Sequence, residues 1–156
     1  MSAADLIEGT VSARGRKVAI VAARFNDLIV ASLLKGAHAA WLERGGEARD
    51  LTVVRVPGAF ELPVAARKLA GSGRYDAVVA LGCVIRGDTP HFDYVAGECA
   101  RGLQLAGLET GVPVAFGVLT VESLEQALER AATTAGNKGG EAMESALEMA
   151  AVMARL

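Results

Sequence analysis

His91 closes a segment whose residue types change within a few positions. Leu81-Gly82-Cys83-Val84-Ile85 is apolar with strand character, Arg86-Gly87-Asp88-Thr89-Pro90 is a polar break, and His91-Phe92-Asp93-Tyr94 opens onto helical spacing. The only other histidine is His38. An imidazole delivered by a loop at the carboxyl end of a strand sits where open α/β sheets bind ligands, and it changes charge near neutral pH, so its chemistry would be proton transfer. The alternative is a structural histidine at a helix start. Thr89 is placed to cap that helix and Pro90 to occupy its first position. Backbone N–H groups of Asp88 and Thr89 at a helix N-terminus would form an anion site, with Arg86 in the same segment.

Aromatic residues make up 4% of the chain, yet each of the four phenylalanines lies near the end of an apolar run: Phe25, Phe60, Phe92 and Phe116. Such a set either roofs the core or outlines a flat-walled pocket for a planar ring. Glu61 beside Phe60 either complements a helix dipole or accepts hydrogen bonds from a hydroxyl-bearing substrate. Arg130 and Lys138 either are solvated cations or complete a phosphate clamp, on this chain or on a neighbouring copy. Cys83 lies among Leu81, Val84 and Ile85, neighbours that keep a thiol inert.

These residues need a scaffold that gathers loop ends, and the hydrophobic pattern describes one. Residues 17–22 read as a buried strand, followed by a break at Arg24-Phe25-Asn26-Asp27, where Asn26 or Asp27 would cap a helix. That helix carries Leu28, Val30, Ala31, Leu34, Ala37, His38 and Trp41 on one face and stops at Gly45-Gly46. Residues 51–56 form a second β-branched run, broken at Pro57-Gly58, and 60–69 have helical spacing. A third strand at 77–85 feeds the His91 loop, with a helix to about Leu108. Residues 112–119 make a fourth strand, and Ser123-Leu124-Glu125-Gln126 has the form of a capping box. Gly136 to Gly140 separates that helix from a last one over 141–155. Its apolar residues Met143, Ala146, Leu147, Ala150, Met153 and Ala154 cover an arc wide enough to involve a neighbouring subunit. Alternating strands and helices with short links imply a three-layer α/β/α sandwich around a central four-stranded, mainly parallel sheet.

The chain has 156 residues, 52% of them hydrophobic, which suits one domain. Sixteen basic and eighteen acidic residues leave a net charge of −2, so nothing suggests nucleic acid or an anionic membrane as partner. The start, Met1-Ser2-Ala3-Ala4-Asp5, lacks the basic and apolar regions of a secretory signal, and no run is long enough to span a membrane, which makes the cytoplasm the expected compartment. Two scattered cysteines fit reduced, packed thiols, and with two scattered histidines they predict no metal site. A Gly-rich dinucleotide fingerprint, a Walker loop and a nucleophile-elbow serine are all missing from the sequence, which weakens redox and nucleotide-hydrolysis readings.

Five segments, in order, give the sequence a family likeness. Arg24-Phe25-Asn26, Pro57-Gly58-Ala59-Phe60-Glu61, Gly82-Cys83-Val84-Ile85-Arg86-Gly87, Thr89-Pro90-His91-Phe92-Asp93-Tyr94 and Ala135-Gly136-Asn137-Lys138-Gly139 resemble the motifs of the 6,7-dimethyl-8-ribityllumazine synthases, a likeness running from about Lys17 to the C-terminus. The resemblance implies a flavodoxin-like fold and a transferase of riboflavin biosynthesis. That enzyme condenses 5-amino-6-(D-ribitylamino)uracil with 3,4-dihydroxy-2-butanone 4-phosphate, without metal or organic cofactor. By the same resemblance Phe25 stacks on the pyrimidine, and Ala59, Phe60 and Glu61 hold the ribityl chain and ring edge. Cys83, Val84 and Ile85 present backbone groups, Asp88, Thr89 and Arg130 contact the phosphate substrate, and His91 moves protons. Phe116, Arg130 and Lys138 come from an adjacent subunit, and Asn26 is a further candidate. It also implies pentamers, which stand alone, pair as decamers or, as the short link between the last two helices suggests, build a sixty-subunit icosahedral shell, together with association with riboflavin synthase and contact of residues 1–16 with a neighbour. A non-catalytic flavin- or lumazine-binding or cage-forming protein of the same fold is the competing reading.

Overall fold

Four apolar runs become strands because each is short, rich in valine, alanine and isoleucine, and bounded by turn residues. In the computed structural model, which describes residues 4–133 and 136–156, they are β1 (Val18–Ala23), β2 (Leu51–Val56), β3 (Ala77–Ile85) and β4 (Val114–Val121). All pairings are parallel, in the order β2-β1-β3-β4. The helices are α1 (Asp27–Glu43), α2 (Leu62–Ala70), α3 (His91–Thr110), α4 (Leu124–Arg130) and α5 (Lys138–Met153). Strand order and helix layers are flavodoxin-like.

Central strands buried on both faces divide their side chains between two cores, as the two-residue period of a strand requires. Val18, Ile20 and Ala22 of β1, with Val79, Leu81 and Cys83 of β3, pack under α1 and α5, against Ile29, Leu33, Trp41, Met143 and Leu147. Val21, Ala23, Val78 and Ala80 face the opposite way, toward Leu62 and Ala66 of α2 and Cys99 and Leu103 of α3. Both outer strands keep exposed residues, Val53 on β2 and Phe116 on β4.

The inward face of α1 is rotated from the expected one. Ile29, Val30, Leu33, Ala37, Ala40 and Trp41 are buried, whereas Leu28, Ala31 and His38 are exposed. Leu28 lies one residue after the helix start and is exposed rather than turned to the core. Residues 60–69 are not one helix: Ala59–Glu61 form a 3-10 turn, and α2 begins at Leu62 with Pro63 in its first turn. Strand β4 lies two residues later than the expected 112–119.

The start of α5 lies three residues before the expected Glu141, because Asn137 caps it. The Asn137 carboxamide oxygen accepts from the N–H groups of Gly139 (2.8 Å) and Gly140 (3.0 Å), as N-cap asparagines do. Its amide nitrogen donates to Ser32 O at 3.0 Å and Ala131 O at 3.1 Å, which ties α5 to α1 and to the end of α4. The helices approach so closely there that a side chain on Gly139 would collide with the Leu33 main chain. Ser123 caps α4 by accepting from Gln126 N–H at 3.2 Å, but the Gln126 side chain accepts from Glu122 N–H rather than from Ser123.

The segment before β1 packs on its own chain. Ala13 is buried and its N–H donates to Arg44 O at 2.9 Å, and Arg155 donates to Glu8 O at 3.1 Å. Leu6 and Ile7 ahead of it are exposed. No described helix is long and apolar enough to cross a membrane.

Candidate active site

Strand order reverses between β1 and β3, and their carboxyl ends open the crevice in which this architecture binds ligands. The backbone there is extended by loop pairing. Arg24 N–H donates to Val56 O (2.8 Å) and Phe25 N–H to Pro57 O (2.9 Å), so the β1 and β2 loops continue side by side beyond the sheet. Phe25 thereby stands over Gly58, and Gly58 in turn leaves space for the Glu61 carboxylate: a β-carbon at Gly58 would lie 3.1 Å from Glu61 Oε1.

Asn26 sits at the N-cap position of α1, but in the left-handed conformation (φ 62°) and without a side-chain cap bond. Asparagine tolerates that conformation better than other residues with a β-carbon. Its Nδ2 instead donates to Cys83 O at 2.8 Å, a strap from the end of β1 to the end of β3. The strap fixes the separation of the two strand ends at the switch point, and it engages the Cys83 carbonyl.

The resulting cleft encloses about 860 Å³. It gathers Phe25, Asn26, Ala59, Phe60, Glu61, Cys83, Val84, Ile85, Thr89 and His91 from three different strand ends. Phe25 (72% exposed) and Phe60 (59%) present ring faces to solvent rather than closing the core, which favours the pocket reading of these phenylalanines. Asp88 is exposed on the same loop but does not line the cleft. Tyr94 and Val95, which do line it, were missed in the sequence; both share a helix face with His91 through the i, i+3 and i, i+4 spacing, the signal that would have found them.

Pro90, not Thr89, takes the cap position of α3, with Asp93 N–H donating to Pro90 O at 3.0 Å and no side-chain cap bond. Thr89 stands one residue too early for its hydroxyl to cap, which leaves it facing the cleft. Arg86 does not face the anion site expected of its segment. Its Nε lies 2.8 Å from Glu122, an Nη 3.4 Å from Asp93, and the guanidinium 4.4 Å from the centre of the Phe92 ring.

Phe116 is not at a strand end. It is the third residue of β4, opposite Ala80, and it lines a separate cleft of about 370 Å³ at the outer edge of the sheet. Arg130 and Lys138 line that same cleft. An Arg130 Nη donates to Gln126 O at 3.2 Å on its own helix, and Lys138 pairs with Glu141 at 3.2 Å. No described residue borders both clefts. One chain thus carries an aromatic and carboxylate half with a histidine, and elsewhere a cationic half with one aromatic ring. Ala135 of the last motif lies outside the described residues.

Cys83 and Cys99 are free and buried, and burial pushes both thiols up to about 11 from the usual 9.0. Near pH 8 each should hold about 100-fold less thiolate than an ordinary cysteine, so a thiol-specific reagent should label the folded protein slowly and both residues fast once it is unfolded. Fast labelling of Cys83 in the folded protein would instead mark it as a reactive thiol. No three His, Cys, Asp or Glu side chains among the described residues converge as metal ligands. The family model described as 6,7-dimethyl-8-ribityllumazine synthase matches residues 15–154.

Proposed function

The chain belongs to the 6,7-dimethyl-8-ribityllumazine synthase family, and from that premise we propose which of its residues do the work and how two copies share it. The activity is the transferase step of riboflavin biosynthesis, in which 5-amino-6-(D-ribitylamino)uracil and 3,4-dihydroxy-2-butanone 4-phosphate give 6,7-dimethyl-8-ribityllumazine, phosphate and water.

In the large cleft, the pyrimidine stacks on Phe25, whose exposed ring is a platform with no partner of its own in the core. Glu61 accepts hydrogen bonds from ribityl hydroxyls, and main-chain groups of Ala59 and Phe60 flank it. Val84 and Ile85 present backbone polar groups to the ring edge beside the Cys83 carbonyl. The amine attacks the ketone, water is lost as the imine forms, phosphate leaves by elimination, and the ribitylamino nitrogen closes the second ring with loss of water again. Every one of these steps moves a proton. His91, at the cleft wall, is the imidazole that carries them.

The leaving phosphate needs cations, and no Lys or Arg among the described residues lines the large cleft; Thr89 lines it at the α3 entry, with Asp88 exposed on the same loop beside it. Arg130, with Lys138 and Phe116, faces the other cleft. The observation that carries the shared site is this division of one substrate-binding set between two clefts that share none of the described residues. In our reading the second cleft of one subunit closes over the first cleft of the next, so a ring of copies completes every site. A pentamer, sixty-subunit shells of such rings, association with riboflavin synthase and residence in the cytoplasm complete the proposal. The short link of residues 131–137 supports shells, and the free buried thiols support a reducing compartment. Residues 1–156 make one domain in this reading, with the segment 1–16 reaching a neighbour through the exposed Leu6 and Ile7.

Mixing the purified protein with both substrates should give lumazine absorbance and phosphate release in step. Solution mass in the same buffer should report a multiple of five chains. A folded, assembled protein that made no product above the uncatalysed background would overturn the assignment.

A further inference from the structure

Arg86 is the first residue after β3, and one guanidinium holds both ends of the loop that ends in His91. Its main-chain N–H donates to Val121 O at 2.9 Å, which fixes its backbone against β4. Its side chain then reaches forward past the loop, with an Nη 3.4 Å from Asp93 and the plane 4.4 Å from the centre of the Phe92 ring. Nε lies 2.8 Å from Glu122, just after β4. Phe92 and Asp93 directly follow His91, so the contacts fall on the helical turn that aims the imidazole.

The intervening residues 87–91 are exposed and make little packing contact that would hold them. Local stability in such a segment comes from the few restraints at its ends. An exposed ion pair alone contributes little, but a planar fork that pairs with two carboxylates while stacking on a ring restricts rotation as well as distance. Two carboxylates at the guanidinium also offset its charge, which disfavours it as a phosphate receptor.

We propose that Arg86 is a positioning residue for His91: it clasps the first turn of α3 to the ends of β3 and β4 and so holds the imidazole at the cleft wall. The role rests on His91 as the proton carrier proposed above. Glu122, the far anchor, opens the α4 segment that ends in Arg130, so the clasp joins the proton-transfer loop to the helix that carries the phosphate cation.

The test is a mutant cycle on the assembled enzyme with kcat and both KM values measured. Arg86→Met should lower kcat about tenfold with the pyrimidine KM within about twofold, and Arg86→Lys should recover part of the loss. Adding Arg86→Met to His91→Ala should change kcat less than about twofold further, because a residue that acts through His91 has nothing left to position. An equal loss in both backgrounds, or a wild-type kcat for Arg86→Met while His91→Ala is slow, overturns the positioning role and leaves the His91 reading standing. Wild-type turnover in His91→Ala overturns both. If Arg86→Met fails to assemble, Asp93→Asn loosens the same clasp from its other end, and it should show a smaller loss in kcat that also vanishes in the His91→Ala background; its persistence there overturns the role.

Discussion

Replacing His91 with alanine should lower kcat about 10- to 100-fold while the pyrimidine KM stays within about threefold. The split follows from where the groups stand. Stacking on Phe25 and the hydroxyl contacts of Glu61 belong to the ends of β1 and β2, whereas His91 enters from the β3 side of the cleft. Removing the imidazole leaves the pyrimidine platform intact. It takes away the group that accepts a proton as the amine attacks and returns one as water and phosphate leave. The expected loss sits at the lower end of general acid–base effects because His91 is exposed, so solvent can carry part of the traffic. Steady-state rates with both substrates saturating, backed by single-turnover measurements to expose the chemical step, would check it. An unchanged chemical rate would leave His91 as a structural helix-start residue.

The parts of this site that were legible in the sequence are those that depend on order along the chain. A β-branched run followed by a polar break marks a strand end in any parallel sheet, so the sequence alone sends Phe25, Phe60, Glu61 and His91 to one mouth. What the linear pattern hid depends on register and on side-chain direction. Phe116 reads as a strand-end residue when the strand is taken as 112–119; pairing with Ala80 puts it near the start of β4 instead, and with it the whole second cleft. Asn26 reads as a helix cap because asparagine so often is one. Its left-handed backbone turns the amide away from α1 and toward Cys83 O, a contact across 57 positions that no local rule anticipates. Arg86 reads as an anion ligand by proximity in sequence, whereas its three partners show a cation already engaged. The face of α1 differs from its pattern for a related reason: exposed apolar residues such as Leu28 count toward the hydrophobic stripe although they face solvent.

Arg130→Ala should raise KM for the butanone phosphate about 10- to 100-fold, the cost of one charge-assisted contact to a phosphate, with a small effect on the pyrimidine KM. The fold should tolerate it, since Arg130 is the exposed last residue of α4 and its side chain, among the described residues, donates to Gln126 O on the same helix. The more searching result comes from combining this variant with His91→Ala in mixed assemblies. An Arg130→Ala chain keeps its His91 cleft, and a His91→Ala chain keeps its Arg130 cleft. Wherever the first cleft of one meets the second cleft of the other, a shared site is whole again. Random mixing of equal amounts should therefore make about a quarter of the interfaces intact, and activity at low butanone phosphate should rise well above the mean of the two separate variants. A site built within one chain cannot behave this way, because every chain in the mixture carries one of the two lesions. Activity fixed at that mean, in mixtures shown to contain both chains in the same particle, would place Arg130 and His91 in a single subunit's site. Recovery would mean that the two clefts, which share none of the described residues within a chain, are halves of one catalytic surface.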